Sequence, residues 1–109
     1  MATPQAAVVV LYHAPKDAAA FERYYAETHL PLVGRHATEI GFTRAELVRF
    51  TASLDGSAAP FYRKAELWFP SEAALRTGVA TAGFKAVAAD LANFATGGVV
   101  AAVTVESPS

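Results

Sequence analysis

Phe21-Glu22-Arg23-Tyr24-Tyr25-Ala26-Glu27-Thr28-His29-Leu30-Pro31-Leu32 is the stretch on which the fold turns. Phe21, Tyr24, Tyr25, Thr28 and Leu32 recur at helical spacing and form an aromatic face, with Glu22, Arg23 and Glu27 on the other side. Arg23 and Glu27 are four apart, the spacing of an ion pair on a wet helix face. Proline at position 31 disfavours helical geometry at Leu30, and its ring would clash with the carbonyl of Glu27. The helix is therefore expected to end or kink right after His29. Pro31 to His36 then suits a short second turn of helix, since proline is tolerated at a helix start.

Working outward, Ala6 to Tyr12 is an unbroken apolar, β-branched run closed by His13-Ala14-Pro15, as expected of a strand buried on both faces. Asp17 follows as an N-cap. On the other side, Gly41 opens a strand from Phe42 to Thr51, Leu54-Asp55-Gly56-Ser57 supplies turn chemistry, and Phe61 to Phe69 reads as the next strand. Strands joined this closely predict an antiparallel hairpin. Ser71 caps the next helix, with Glu72 placed for its dipole. Gly78 and Gly83 predict a break near Thr81, then a longer helix to about Phe94 with Phe84, Val87, Leu91 and Phe94 as its apolar stripe. Gly97-Gly98 ends it, and Val99 to Val105 is the last strand, followed by a loose Ser107-Pro108-Ser109 tail.

The order is β-α-β-β-α-β, which predicts an α+β, ferredoxin-like domain: a four-stranded antiparallel sheet with helices on one face. At 109 residues the chain is one domain over 1–109, with its core at roughly 6–106. Hydrophobic residues make up 53% and charged ones 17%, more apolar surface than a small domain hides alone. The first and last strands also lack polar alternation. A homodimer with sheets face to face is the expected cover. A net charge of −1 with scattered basic residues argues against nucleic acid and against a polybasic membrane surface. No apolar run approaches the roughly 20 residues that span a bilayer. The start lacks a signal-peptide pattern, so a cytoplasmic protein is expected. Absence of cysteine excludes disulfides, thiolate catalysis and cysteine-held metals.

Two patches resemble the EthD-like family of the dimeric α+β barrel superfamily. One is Phe21-x-x-Tyr24-Tyr25-x-x-x-His29-x-Pro31-Leu32. The other is Ser71-Glu72-Ala73-Ala74-Leu75 with Ala89-Asp90-Leu91-Ala92-Asn93-Phe94. With the matching element order, the resemblance runs from about Val8 to Val105. It implies a ferredoxin-like subunit, a dimer and a small apolar cavity between helices and sheet. The family takes its name from an ethyl tert-butyl ether degradation cluster that also encodes an oxidative haem system, so an oxidoreductase label describes context. Structural cousins include polyketide cyclases, muconolactone isomerases, cofactor-free monooxygenases and haem-degrading enzymes, and fold analogy cannot choose among them.

His29 is the leading catalytic candidate, a general acid/base beside aromatic rings; the plainer reading is a histidine that caps carbonyls at the proline break. Tyr25 lies four residues before it and is the preferred partner, ahead of Tyr24, which points about 100° away on a helix. Phe21, Phe84, Phe94, Trp68, Asp90 and Asn93 are candidates for the cavity wall or edge, each with a core or pairing role as the alternative. His13 and His36 have no spacing that supports a ligand role. No metal site, phosphate loop or nucleophile elbow is present, so no metal or cofactor is expected. Haem degradation would fit Trp68 on the third strand, but Ala6 to His13 holds no asparagine and Ser71 to Phe94 no histidine.

The expected function is a cofactor-independent enzyme acting by acid/base chemistry at His29 on a compact, apolar, oxygen-bearing molecule. It would be a lyase, isomerase, cyclase or cofactor-free oxidoreductase. The alternatives are a dimeric carrier of a hydrophobic metabolite, or an accessory to a partner enzyme, using the same cavity and asking nothing of His29. A purely structural protein would have no cavity.

Overall fold

The computed structural model describes residues 3–107. The expected tail residues Pro108 and Ser109 lie outside the described residues, as do Met1 and Ala2. Strand β1 (Ala6–Tyr12) leads into α1 (Ala18–Tyr24), a π-helical turn (Tyr25–His29), α2 (Leu30–Arg35) and α3 (Ala37–Ile40). Strands β2 (Arg44–Arg49) and β3 (Arg63–Phe69) follow, then α4 (Glu72–Val79), α5 (Ala82–Asp90), a 3-10 turn (Leu91–Asn93) and β4 (Val99–Val105). The sheet runs β2-β3-β1-β4, antiparallel at every pairing. This is the ferredoxin-like α+β arrangement that the element order predicted, with β1 and β4 at their expected bounds.

The local reasons are visible. The Asp17 side chain accepts the Ala20 N–H, the Ser71 side chain that of Ala74 and the Thr81 hydroxyl that of Phe84, so the starts of α1, α4 and α5 each have a capped donor. Gly41 and Gly56 take left-handed φ values of 87° and 89°, ending α3 and turning the hairpin where a Cβ would strain.

The helix does not stop at His29. Backbone angles stay helical through Leu30, and the Leu30 N–H bonds back to the Tyr25 carbonyl, five residues away. Proline has no N–H to give and its ring crowds the carbonyl four residues earlier. A single wide turn relieves that clash without breaking the rod. The wide turn also shifts the helical phase. Phe21, Tyr25 and His29 are buried, Tyr24 is half-buried, and Thr28, expected on the apolar face, is exposed. Among the described residues no ion pair joins Arg23 to Glu27. Glu22, expected on the wet face, instead takes Arg63 Nε at 2.9 Å and the Tyr62 hydroxyl at 3.0 Å.

Strands β2 and β3 are shorter than expected, although backbone bonds from Thr43 to Trp68 and from Phe50 to Tyr62 continue the pairing past both ends. The second long helix tightens into the 3-10 turn after Asp90 rather than running unbroken to Phe94, and α3 was not anticipated.

Side chains of facing strand residues share a face. Register therefore puts Val8, Val10, Tyr12, Ala65 and Leu67 under the helices, and Ala7, Val9, Leu11 and Trp68 on the open face. One core joins Ala6, Val8, Ile40, Phe69, Leu75 and Val87. A second, aromatic core joins Tyr12, Phe21, Tyr25 and Phe94. Among the described residues no helix is long and apolar enough to cross a membrane.

Candidate active site

Between the sheet and the helices lies a cavity of about 330 Å³. Strands supply Val8, Val10, Tyr12, Ala45, Leu47, Ala65, Leu67 and Ala101. The first helical region supplies Tyr25, His29, Leu30, Val33 and Gly34, and the second Phe84, Val87, Ala88 and Leu91. Its polar groups are the imidazole of His29 and the phenols of Tyr12 and Tyr25; no lysine, arginine or carboxylate lines it.

His29 is 4% exposed, and its Nδ1 lies 2.8 Å from Oδ2 of Asp90, itself 8% exposed, at the end of α5. Asp90 Oδ1 accepts the Tyr24 hydroxyl at 2.6 Å and Asn93 Nδ2 at 3.0 Å. Burial pushes the Asp90 carboxyl up, but the hydrogen bonds from Tyr24, Asn93 and His29 outweigh it and hold the group below its ordinary value. An ionised Asp90 accepts a proton-bearing Nδ1, which assigns the lone pair of the neutral ring to Nε2. Among the described residues nothing bonds Nε2. The arrangement is that of an oriented base: the carboxylate fixes tautomer and angle and stabilises the imidazolium once a proton arrives.

Phe94 holds the dyad in place. Its ring sits 4.6 Å from His29 and stacks on Tyr24 at 5.3 Å. Tyr25 lies stacked alongside His29 with centroids 6.0 Å apart, and the Arg63 guanidinium lies over the Tyr25 ring, 4.9 Å from its centroid. The Tyr25 hydroxyl is buried without a hydrogen-bond partner. Burial raises the pKa of Tyr25, and burial followed by the neighbouring Tyr25 raises that of Tyr12 strongly, so both phenols stay protonated donors.

Of the residues singled out in the sequence, His29, Tyr25 and Phe84 line the cavity. Tyr24, Asp90 and Asn93 stand behind His29 as one hydrogen-bonded group. Phe21 and Phe94 belong to the aromatic core and, with Tyr24 and Asn93, border a second hollow of about 190 Å³ on the far side. Trp68 does not reach the cavity. Its position in β3 is out of phase with Ala65 and Leu67, so its indole stands on the open face, under Arg44 at 4.7 Å and bonded to Glu46 at 3.1 Å. Tyr12 went unmarked in the sequence because a strand-end tyrosine has no spacing signal. Only its 5.9 Å approach to Tyr25 brings it into the site.

The EthD domain family model matches residues 13–98. An uncharacterised 11.0 kDa protein from Rhodococcus erythropolis is 36% identical over 99 residues, 91% of this chain and 92% of that one. An EthD family protein from Bacillus halodurans superposes with a TM-score of 0.83 at 25% identity, covering 94% of this chain and 99% of the other. The fold is shared at 12% identity with a hydroxynitrile lyase from Passiflora edulis, with a TM-score of 0.69 over 100% of this chain and 98% of that one. By the family model, which takes in both the aromatic helical stretch that carries His29 and the helix end that carries Asp90, the chain belongs to the EthD family.

Proposed function

We propose that this protein is an enzyme that moves a proton on a compact, mostly apolar, oxygen-bearing molecule held in the cavity. His29 is the acid/base, Asp90 orients it, and Tyr24 and Asn93 keep Asp90 ionised. One observation carries the reading: the 2.8 Å bond from a cavity-lining imidazole to a carboxylate that already has two other donors. A histidine serving only to cap carbonyls at the proline break would need no such support, and His29 makes no cap bond. Proton transfer changes no oxidation state, which favours a lyase or isomerase, in keeping with the lyase that shares the fold. The family's link to ether degradation supplies context for a small, neutral substrate class.

The proposed assembly is a homodimer. In the lone chain, Val48 and Val100 on the open sheet face are 41% and 45% exposed, and β4 is exposed almost along its length. A second copy of the same face covers this surface. Native mass spectrometry of gently purified protein reads both assembly and retained ligand; a bare monomer would overturn the dimer. With the substrate so identified, His29→Ala is expected to melt as a folded protein and lose about a thousandfold in turnover. Undiminished turnover sinks the acid/base role. A ligand bound by both proteins and converted by neither makes the protein a carrier.

A further inference from the structure

We infer that Tyr12 and Tyr25 together hold the oxygen of an uncharged carbonyl compound while His29 Nε2 takes a proton from the adjacent carbon. This deepens the acid/base reading and rests on it. Both tyrosines line the cavity, both are at least nine-tenths buried at 1% and 3% exposure, and their rings meet edge to face at 5.9 Å. The Tyr25 hydroxyl is buried with no hydrogen-bond partner, and among the described residues no side-chain hydrogen bond engages the Tyr12 hydroxyl. A buried phenol left unbonded costs stability, whereas Phe at either position would fill the same space. Tyr24 and Tyr62 show the contrast: their hydroxyls are both committed to carboxylates.

The walls narrow the substrate further. Beyond the phenols and His29 they offer only apolar side chains, with room made by Ala45, Ala65, Ala88 and Ala101. The nearest guanidinium, Arg63, is tied to Glu22 and rests over the Tyr25 ring, where it strengthens the phenol as a donor without meeting a ligand's charge. A carboxylate would find no lysine or arginine in this space, and the one imidazole there is already held by the Asp90 carboxylate, so a charged ligand is disfavoured. Two neutral donors beside one base in an apolar pocket match a ketone or aldehyde with an acidic C–H next to the carbonyl.

The step balances without an oxidant. The C–H bond breaks, its proton goes to Nε2, its electron pair forms the C=C bond, and the carbonyl π pair moves to the oxygen held by the two hydroxyls. Once the imidazolium trades its proton for a solvent deuteron, delivery of that deuteron to the same carbon gives exchange, and delivery of a proton or deuteron to a conjugated carbon gives an isomerised product.

β-Tetralone in deuterium oxide, followed by NMR, is the test. The wild-type protein is expected to bind it, to accelerate exchange of the acidic hydrogens, and to ignore naphthoate, its charged counterpart. Tyr12→Phe and Tyr25→Phe are each expected to lower the exchange kcat about a hundredfold with little change in binding, and His29→Ala to abolish it. If both phenylalanine variants exchange like wild type while His29→Ala is inert, the tyrosine pair is overturned and the base survives. Binding of β-tetralone without exchange by the wild type sinks both readings. Failure to bind, or equal binding of naphthoate, overturns the substrate class. Should Tyr12→Phe not fold, the Tyr25→Phe exchange rate decides.

Discussion

At the scale of single residues, Asp90 sets the behaviour of the site. Its folded-state pKa is depressed, so its contribution to stability is full above the unfolded value of about 3.9 and is lost as pH falls through the folded value. Urea midpoints measured from about pH 6 down to about pH 3 are expected to fall less steeply in Asp90→Asn than in wild type. The same substitution presents Nδ1 with an amide in place of a carboxylate. Turnover is then expected to drop at least about a hundredfold, with nitrogen NMR of the ring showing whether the tautomer has changed. Tyr25→Phe should act in the opposite direction on stability, raising it by about 1 kcal/mol in urea unfolding because it removes a buried, unbonded hydroxyl. A loss of stability there would mean that the hydroxyl is satisfied in solution.

At the scale of elements, the π turn from Tyr25 to His29 places the His29 imidazole. Pro31 forces it, since an ordinary helix would drive the proline ring into the Glu27 carbonyl. Pro31→Ala restores an N–H that can bond that carbonyl, so the turn is expected to tighten and swing the imidazole away from Asp90. Loss of the Nδ1 proton resonance, with the melting temperature nearly unchanged, is the expected reading; its persistence would mean that packing against Phe94 holds the turn. Close packing also fixes α4. A Cβ built on Gly78 runs into the Ile40 carbonyl and lies 2.7 Å from the Phe69 ring. Gly78→Ala is therefore expected to cost about 1–3 kcal/mol by thermal or urea unfolding.

For the whole molecule, the sheet has two unlike faces. One carries the helices and the cavity. The other is apolar over β1 and β4, through Ala7, Val9, Leu11, Val100 and Ala102, and charged over β2 and β3, through Arg44, Glu46, Lys64 and Glu66. In the proposed dimer, burying the apolar half against its copy would supply the driving force, and the charged half would set the approach. Val100→Glu adds a charge to that half and is expected to shift the native mass spectrum to monomer while leaving the circular dichroism unchanged. A persistent dimer would place the contact elsewhere.

The sequence by itself determined the order and type of the elements. Their signals are local: the apolar runs of β1 and β4, the caps at Asp17 and Ser71, and the glycines that end helices. It also marked His29, because an aromatic helix face ending near a proline is visible within twelve residues. Tertiary structure alone decided what His29 touches. Asp90 lies 61 residues away and meets it only when α5 packs beside α2, the helix that follows His29, so no spacing announces the pair. The face taken by Trp68 and the arrival of Tyr12 in the cavity were decided the same way, since one step of strand register inverts every side chain. The proline shows the division most clearly. Its clash was legible in the sequence as a helix that ends or kinks after His29, whereas only the structure shows a wide turn that keeps the helix running, with Tyr25 packed on Tyr12 and His29 against Phe94.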